Sequence, residues 1–222
     1  MRNWCSRHPI YFMGLYALFY LTFFALLERT IQTPDLWVHC RLDDLIPFCK
    51  WFVIPYAFWF LFVGGMLLYT LFYNIPAFRR MMWFIILTYS FALVTYLLFP
   101  NCQHLRPTLL GGDLLTRFTA KLYAADTNTN VCPSIHVIGS FAVYFAARDI
   151  RRFRAKGWRL GFLTMAVLIS LSTVFLKQHS VLDVLAGLAV CAAAYPLISR
   201  VPAGAASLIP AGGLGRKRFP EL

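Results

Sequence analysis

The chain has 222 residues, of which 59% are hydrophobic, 17% aromatic and only 14% charged, with a formal net charge of +12. Mean hydropathy is +0.63. A soluble domain of this length needs far more charge to cover its surface, so the composition argues against a water-soluble enzyme and for a membrane protein.

Apolar runs of about 17–25 residues are long enough to cross a bilayer core. Six runs stand out, at 10–27, 51–73, 81–99, 133–147, 160–176 and 180–198. The first follows Arg2 and Arg7, as a secretory signal would. No small-residue cleavage site precedes Glu28-Arg29, so it is expected to be a retained helix. The segment 28–50 mixes Asp35, Arg41, Asp43 and Asp44 with prolines and is expected to be structured. No metal role is expected for the Asp43-Asp44 pair, and no C-x-x-C pattern exists. After the second run comes a tight turn at Asn74-Ile75-Pro76, then the third run. The longest connection, 100–132, holds Gly111-Gly112 and the turn-prone Asp126-Thr127-Asn128-Thr129-Asn130 and is expected to be a loop, with Arg117 and Lys121 as solvated charges.

The fourth run has 15 residues, which at the helical rise covers roughly 22 Å. That is too short to span alone unless its polar start is buried in protein or lines a cavity. Ser134 and His136 are thereby placed near the depth of a lipid headgroup. A basic cluster at 148–159 precedes the fifth run, and the sixth follows Lys177-Gln178-His179. The organisation is a single integral membrane domain over 1–201 with a flexible basic cytoplasmic tail over 202–222. Cys40, Cys49, Cys102 and Cys132 fall in the outer connections, where an oxidising exterior allows disulfides but spacing assigns no partners.

With six helices, the ends alternate sides, and the 21 Lys and Arg residues divide 14 to 7. The richer side holds both termini and the connections at 74–80 and 148–159, and the positive-inside rule makes it cytoplasmic. The basic excess is therefore a topology signal. Anionic lipid headgroups are its expected partners and nucleic acid is not. The compact chain and short loops suggest a bacterial inner (plasma) membrane.

Helix counting brings the chemistry-bearing residues to the outer, periplasmic side. His179 and Asp183 are four apart, so on a helix they share a face and the carboxylate can hold the imidazole. That suits a histidine nucleophile or base with an orienting acid. His136 and Ser134 open the fourth run, where free backbone N–H groups and the helix dipole favour a phosphate. A histidine there is placed to protonate a leaving alkoxide. Arg106 is a candidate bidentate phosphate clamp and Lys177 a candidate point charge.

These segments resemble the type 2 phosphatidic acid phosphatase (PAP2) superfamily of integral membrane phosphatases. Its motifs are Lys-x6-Arg-Pro, Pro-Ser-x-His and Ser-Arg-x5-His-x3-Asp. The second stands intact as Pro133-Ser134-Ile135-His136. The third matches at Ser172, His179 and Asp183, and the first at Arg106-Pro107, most clearly within residues 80–198. Two positions depart from the pattern: Phe99 stands where the family has its lysine, and Thr173 where it has an arginine.

The resemblance implies an all-α bundle of six transmembrane helices with the PAP2-type core. It also implies a metal-independent, cofactor-free hydrolase acting through a phosphohistidine. His179 would be the nucleophile, Asp183 its orienter and His136 the acid and base, with Arg106, Ser134 and Lys177 holding the phosphate. Expected substrates are lipid phosphates or diphosphates: phosphatidic acid, phosphatidylglycerol phosphate or an isoprenyl diphosphate. The departures at Phe99 and Thr173 keep two alternatives open, a lipid phosphotransferase of sphingolipid-synthase type and a non-catalytic lipid-binding or transport protein.

Overall fold

The computed structural model describes residues 9–31, 34, 36–108 and 112–200. Arg2, Arg7 and the basic tail expected over 202–222 lie outside them. The described residues form a helical bundle: α1 (Pro9–Thr30), the short α2 (Arg41–Leu45), α3 (Val53–Tyr73), α4 (Ile75–Leu98), α5 (Leu114–Ala125), α6 (Ile135–Asp149), α7 (Lys156–Phe175) and α8 (Val181–Ser199). Two strands of two residues each, β1 (Leu36–Trp37) and β2 (Asn101–Cys102), pair in parallel and tie the first outer segment to the second.

Four stretches, Lys50–Tyr73, Ile75–Leu98, Lys156–Phe175 and Val181–Ser199, are long and apolar enough to cross a membrane, with 22% to 50% of their most apolar windows buried in the protein. The remaining surface carries large apolar side chains such as Leu61, Phe72, Phe91, Leu160 and Leu185. A soluble protein does not leave so many exposed, and lipid tails are their natural solvent.

Helix α6 is the hub. Nine of its 15 residues are buried, and they point all round the helix rather than along one stripe. Small residues let its neighbours come close. A Cβ at Gly139 would sit 2.6 Å from the Tyr89 hydroxyl and 3.0 Å from the Trp59 ring, and one at Gly187 of α8 would sit 3.1 Å from the Ser134 carbonyl. The core around α6 takes Phe62 and Met66 from α3, Phe84, Ile85, Tyr89 and Leu93 from α4, Ile169 from α7 and Cys191 from α8.

Two boundaries differ from expectation. Helix α4 begins at Ile75 rather than at residue 81, because Asn74 caps it by accepting from the Ala77 N–H at 3.1 Å and Pro76 suits the first turn. Arg79 and Arg80 are therefore helical. The connection 100–132 is not a loop throughout, since α5 forms inside it. The Asp113 side chain caps α5 by accepting from the N–H groups of Leu115 and Thr116. Leu115 and Leu122 then pack with Phe48 and Phe52 over Val53, Tyr56 and Leu176. Reading Gly111-Gly112 as loop signals hid the cap and the helical spacing of Leu115 and Leu122 behind it.

Candidate active site

The ends of α4, α6, α7 and α8 that meet at one pole of the bundle carry the residues singled out in the sequence. The basic residues Arg79, Arg80, Arg148 and Arg151 lie at the helix ends of the opposite pole.

His179 and Asp183 do meet: the His179 Nδ1 lies 3.1 Å from Asp183 Oδ2. They do so by a different route from the one expected. Helix α8 begins only at Val181, so His179 precedes it, and the pair is not stacked on a helix face. Ser180 is the N-cap, with its hydroxyl accepting from the Leu182 N–H. Asp183 folds back over the first turn and accepts the Ser180 N–H at 2.9 Å, in a capping box. The same Asp183 oxygen thus closes the helix and holds the imidazole. The turn before it is shaped by the Thr173 carbonyl, which accepts the N–H groups of Gln178 and His179.

The second nitrogen of His179, Nε2, lies 3.3 Å from His136 Nδ1. A carboxylate only accepts, so the His179 Nδ1 donates to Asp183, and in the neutral imidazole Nε2 then carries the lone pair. That lone pair then accepts from the Nδ1–H of His136. Asp183 in this way assigns the protons of both rings. His136 occupies the second position of α6, between the rings of Tyr56 and Trp59 at 4.5 and 4.6 Å. Its backbone is fixed as well. The Trp59 Nε1 and the Ser140 hydroxyl donate to the His136 carbonyl, and the Tyr89 and Tyr96 hydroxyls donate to those of Ile135 and Pro133.

Ser134 is the N-cap residue of α6. It is fully buried, its Oγ has no hydrogen-bond partner, and the α6 terminus has no side-chain cap. Its N–H donates to the Asp183 carbonyl at 3.2 Å, which joins the two helix starts. An uncapped helix N-terminus beside an unpartnered buried hydroxyl is suited to an anion.

Arg106 and Lys177 reach the same pole but are engaged by backbone. Arg106 donates to the carbonyls of Tyr123, Asp126 and Thr127 at 2.6–3.0 Å and stacks 4.8 Å over the Tyr123 ring. Burial draws its guanidinium below its usual range, with Asp126 opposing. The Lys177 ammonium donates to the carbonyls of Asp43 and Ile46 in and after α2, and its backbone is left-handed (φ +55°). At the two departures, Phe99 is 61% exposed at the end of α4, and the Thr173 hydroxyl bonds the Ser170 carbonyl.

Several residues at this pole make contacts that no sequence pattern signals. Asp43 is almost wholly buried and reaches the start of α8, whereas Asp44 pairs with His39 at the surface. Asp126, at the end of α5, accepts from the Tyr56 hydroxyl at 3.1 Å and from the Gln178 amide at 3.5 Å. Burial raises the Asp126 carboxyl, and the nearby His179 and Arg106 oppose it. Gln103 donates to the carbonyls of Lys177 and Gln178. Burial, followed by the charge of Asp183, pushes the Cys132 thiol up to about 12. Cys40, Cys49, Cys132 and Cys191 carry free thiols. No cluster of three or more metal-ligating side chains occurs among the described residues.

Apolar helices fit a membrane, and their polar groups are gathered where α6 and α8 begin. Together these define a class, helical membrane proteins that carry ionisable chemistry in a buried cluster at one pole. The chain belongs to the PAP2 superfamily, whose family model matches residues 83–205, more than half its length. The matched stretch contains Arg106, Ser134, His136, His179 and Asp183. Membership fits phosphatase or phosphotransferase chemistry on lipid-like phosphates. No curated protein and no solved structure matches the chain.

Proposed function

We propose that the protein is a six-span integral membrane lipid phosphatase acting through a phosphohistidine. The observation that carries this reading is the chain of contacts from Asp183 to His179 at 3.1 Å and from His179 to His136 at 3.3 Å, which with a neutral His179 leaves a lone pair on one imidazole and a donor on the other. In the reaction, His179 Nε2 attacks phosphorus and the P–O bond to the lipid alcohol breaks. His136, which takes up a second proton as the anionic substrate binds beside it, gives that proton to the departing oxygen, and Asp183 stabilises the phosphorylated imidazolium of His179. Water then attacks the phosphohistidine, His136 takes its proton, the P–N bond breaks with its electron pair returning to His179 Nε2, and inorganic phosphate leaves.

With its reacting atoms about 3 Å apart at each end, an in-line phosphoryl group needs the two ring nitrogens roughly 6 Å or more apart. The 3.3 Å contact is thus the resting state, and substrate parts the rings. The open α6 terminus, Ser134 and Arg106 receive the equatorial oxygens, and Lys177 contributes positive potential from its seat on α2.

The substrates proposed are phosphatidic acid, phosphatidylglycerol phosphate or an isoprenyl diphosphate, with the site on the outer face of a bacterial inner membrane and both termini cytoplasmic. Phe99 and Thr173, together with backbone-bound Arg106 and Lys177, favour one second reading, a lipid phosphotransferase. A pocket with fewer loose cations suits a singly charged phosphodiester better than a phosphomonoester dianion.

The test is phosphate release from a panel of lipid phosphates and diphosphates in detergent with EDTA, wild type beside His179→Ala, with products read by mass spectrometry. Release that is chelator-insensitive and lost in the variant is the expected result. A new His179-dependent lipid without free phosphate moves the assignment to transferase. A strict requirement for added divalent metal sinks the mechanism.

A further inference from the structure

We propose that Asp43 is a positioning residue for the His179–Asp183 pair, acting through Ser180 and Val181 from outside the family-matched stretch. The inference rests on the reading of that pair as the reacting groups. Asp43 is 1% exposed, on a helix of only five residues in the first outer segment, 137 positions from Ser180. Its Oδ2 accepts the Ser180 hydroxyl at 2.6 Å and the Cys40 N–H at 2.8 Å, and its Oδ1 accepts the Val181 N–H at 2.8 Å. Ser180 and Val181 are the cap and first residue of α8, and they lie between His179 and Asp183 in the chain.

The grip is therefore on the two residues that set the distance across the catalytic pair. It is also chemically specific. The Val181 N–H is a free donor of a helix start, where a carboxylate is favoured by both hydrogen bonding and the dipole. The Ser180 hydroxyl donates to Asp43 while accepting from Leu182, so its orientation leaves no freedom. Burial alone would raise the Asp43 carboxyl, but the hydrogen bonds from Ser180, Val181 and Cys40 hold it below its ordinary range.

The other end of the same turn is held by the same helix. Lys177 adopts a left-handed backbone that a lysine rarely takes, and its ammonium is seated on the carbonyls of Asp43 and Ile46. Helix α2 thus clasps residues 177–181 twice, once through carbonyls and once through the Asp43 carboxylate. None of these bonds points at a substrate, so Asp43 acts through position alone.

Asp43→Asn keeps the shape but exchanges one acceptor for a donor facing the Val181 N–H or the Ser180 hydroxyl. The expected result is a fall in kcat of about tenfold to a hundredfold, in line with displacement of a reacting group by about 1 Å, with KM within about twofold. The limb of the pH–rate profile that reports the His179–Asp183 pair should shift. Asp44→Asn, which loses only the surface contact to His39, serves as the control and should match wild type.

A merely structural role gives another pattern: a lower Tm and less active protein, but unchanged kcat per phosphorylatable site and an unchanged pH profile. That pattern overturns the proposal, as does an additive loss when Asp43→Asn is combined with Ser180→Ala. If the wild type shows no His179-dependent turnover, the functional reading fails by itself. Asp43 is then judged by the imidazole nitrogen NMR shifts of His179 in detergent. A change in Asp43→Asn but not in Asp44→Asn supports positioning, and no change refutes it.

Discussion

Two serines cap the two helices that carry the histidines, and their surroundings are opposite. Ser180 at α8 is fully committed: its hydroxyl donates to Asp43 and accepts from Leu182, and its N–H is taken by Asp183. Ser134 at α6 is just as buried, yet its hydroxyl bonds nothing and its helix has no side-chain cap. A satisfied cap is part of the scaffold. A buried hydroxyl left unpaired is destabilising by itself, and in the proposed mechanism the phosphate completes it. In the proposed mechanism, the α8 start holds the nucleophile still and the α6 start is open to the anion it attacks.

The strongest challenge to that division is on the α6 side. His136→Gln keeps a polar side chain between Tyr56 and Trp59 but cannot relay a proton, so turnover of lipid phosphate should drop about 10²- to 10⁴-fold. A p-nitrophenyl ester, whose leaving group needs no proton, should lose much less. Equal losses on both substrates would mean that the α6 histidine binds rather than protonates.

The serines themselves should separate cleanly. Ser134→Ala removes the proposed phosphate donor and no hydrogen bond of the fold, so kcat/KM should fall about tenfold or more while Tm stays level or rises slightly. Ser180→Ala removes a cap worth about 0.5–2 kcal/mol and strips the buried Asp43 of one donor, so its primary effect should be a lower Tm. Differential scanning fluorimetry beside lipid turnover reads both. If Ser134→Ala destabilises as much as Ser180→Ala, the contrast between the two ends collapses.

How much of this could be read beforehand follows the range of the interactions. The long helices were visible because lipid demands long apolar runs. His179 and Asp183 were visible because four residues separate them, although a capping box rather than a helix face brings them together. Ser134 and His136 were visible because they open an apolar run. Asp43 was invisible as a partner of Ser180 because no local pattern links a five-residue helix to a turn 137 positions away. Asp126 was hidden for a related reason: its stretch reads as a turn, and only the formation of α5 carries it to Tyr56. Lys177 and Arg106 were recognised by residue type, but type does not reveal that backbone carbonyls already hold them.

Asp126 offers the subtlest test, because it is to charge what Ser134 is to hydrogen bonding. It is a partly buried carboxylate near His179 whose only side-chain partners among the described residues are the uncharged Tyr56 and Gln178. Burial raises its pKa despite the opposing His179 and Arg106. A group whose folded pKa is raised contributes stability that is fully present below its unfolded value. That contribution is lost as pH rises through the folded pKa. At neutral pH the ionised form is thus a net cost to the fold. Asp126→Asn keeps an oxygen to accept the Tyr56 hydroxyl and removes the charge. Its Tm should exceed that of wild type at pH 7–8, and the difference should shrink as pH falls and the wild-type carboxyl takes up its own proton. A variant less stable at every pH would instead make Asp126 a scaffold group like Ser180. A variant more stable at neutral pH but slower in turnover would place Asp126 beside Ser134, among the groups kept for the substrate rather than the fold.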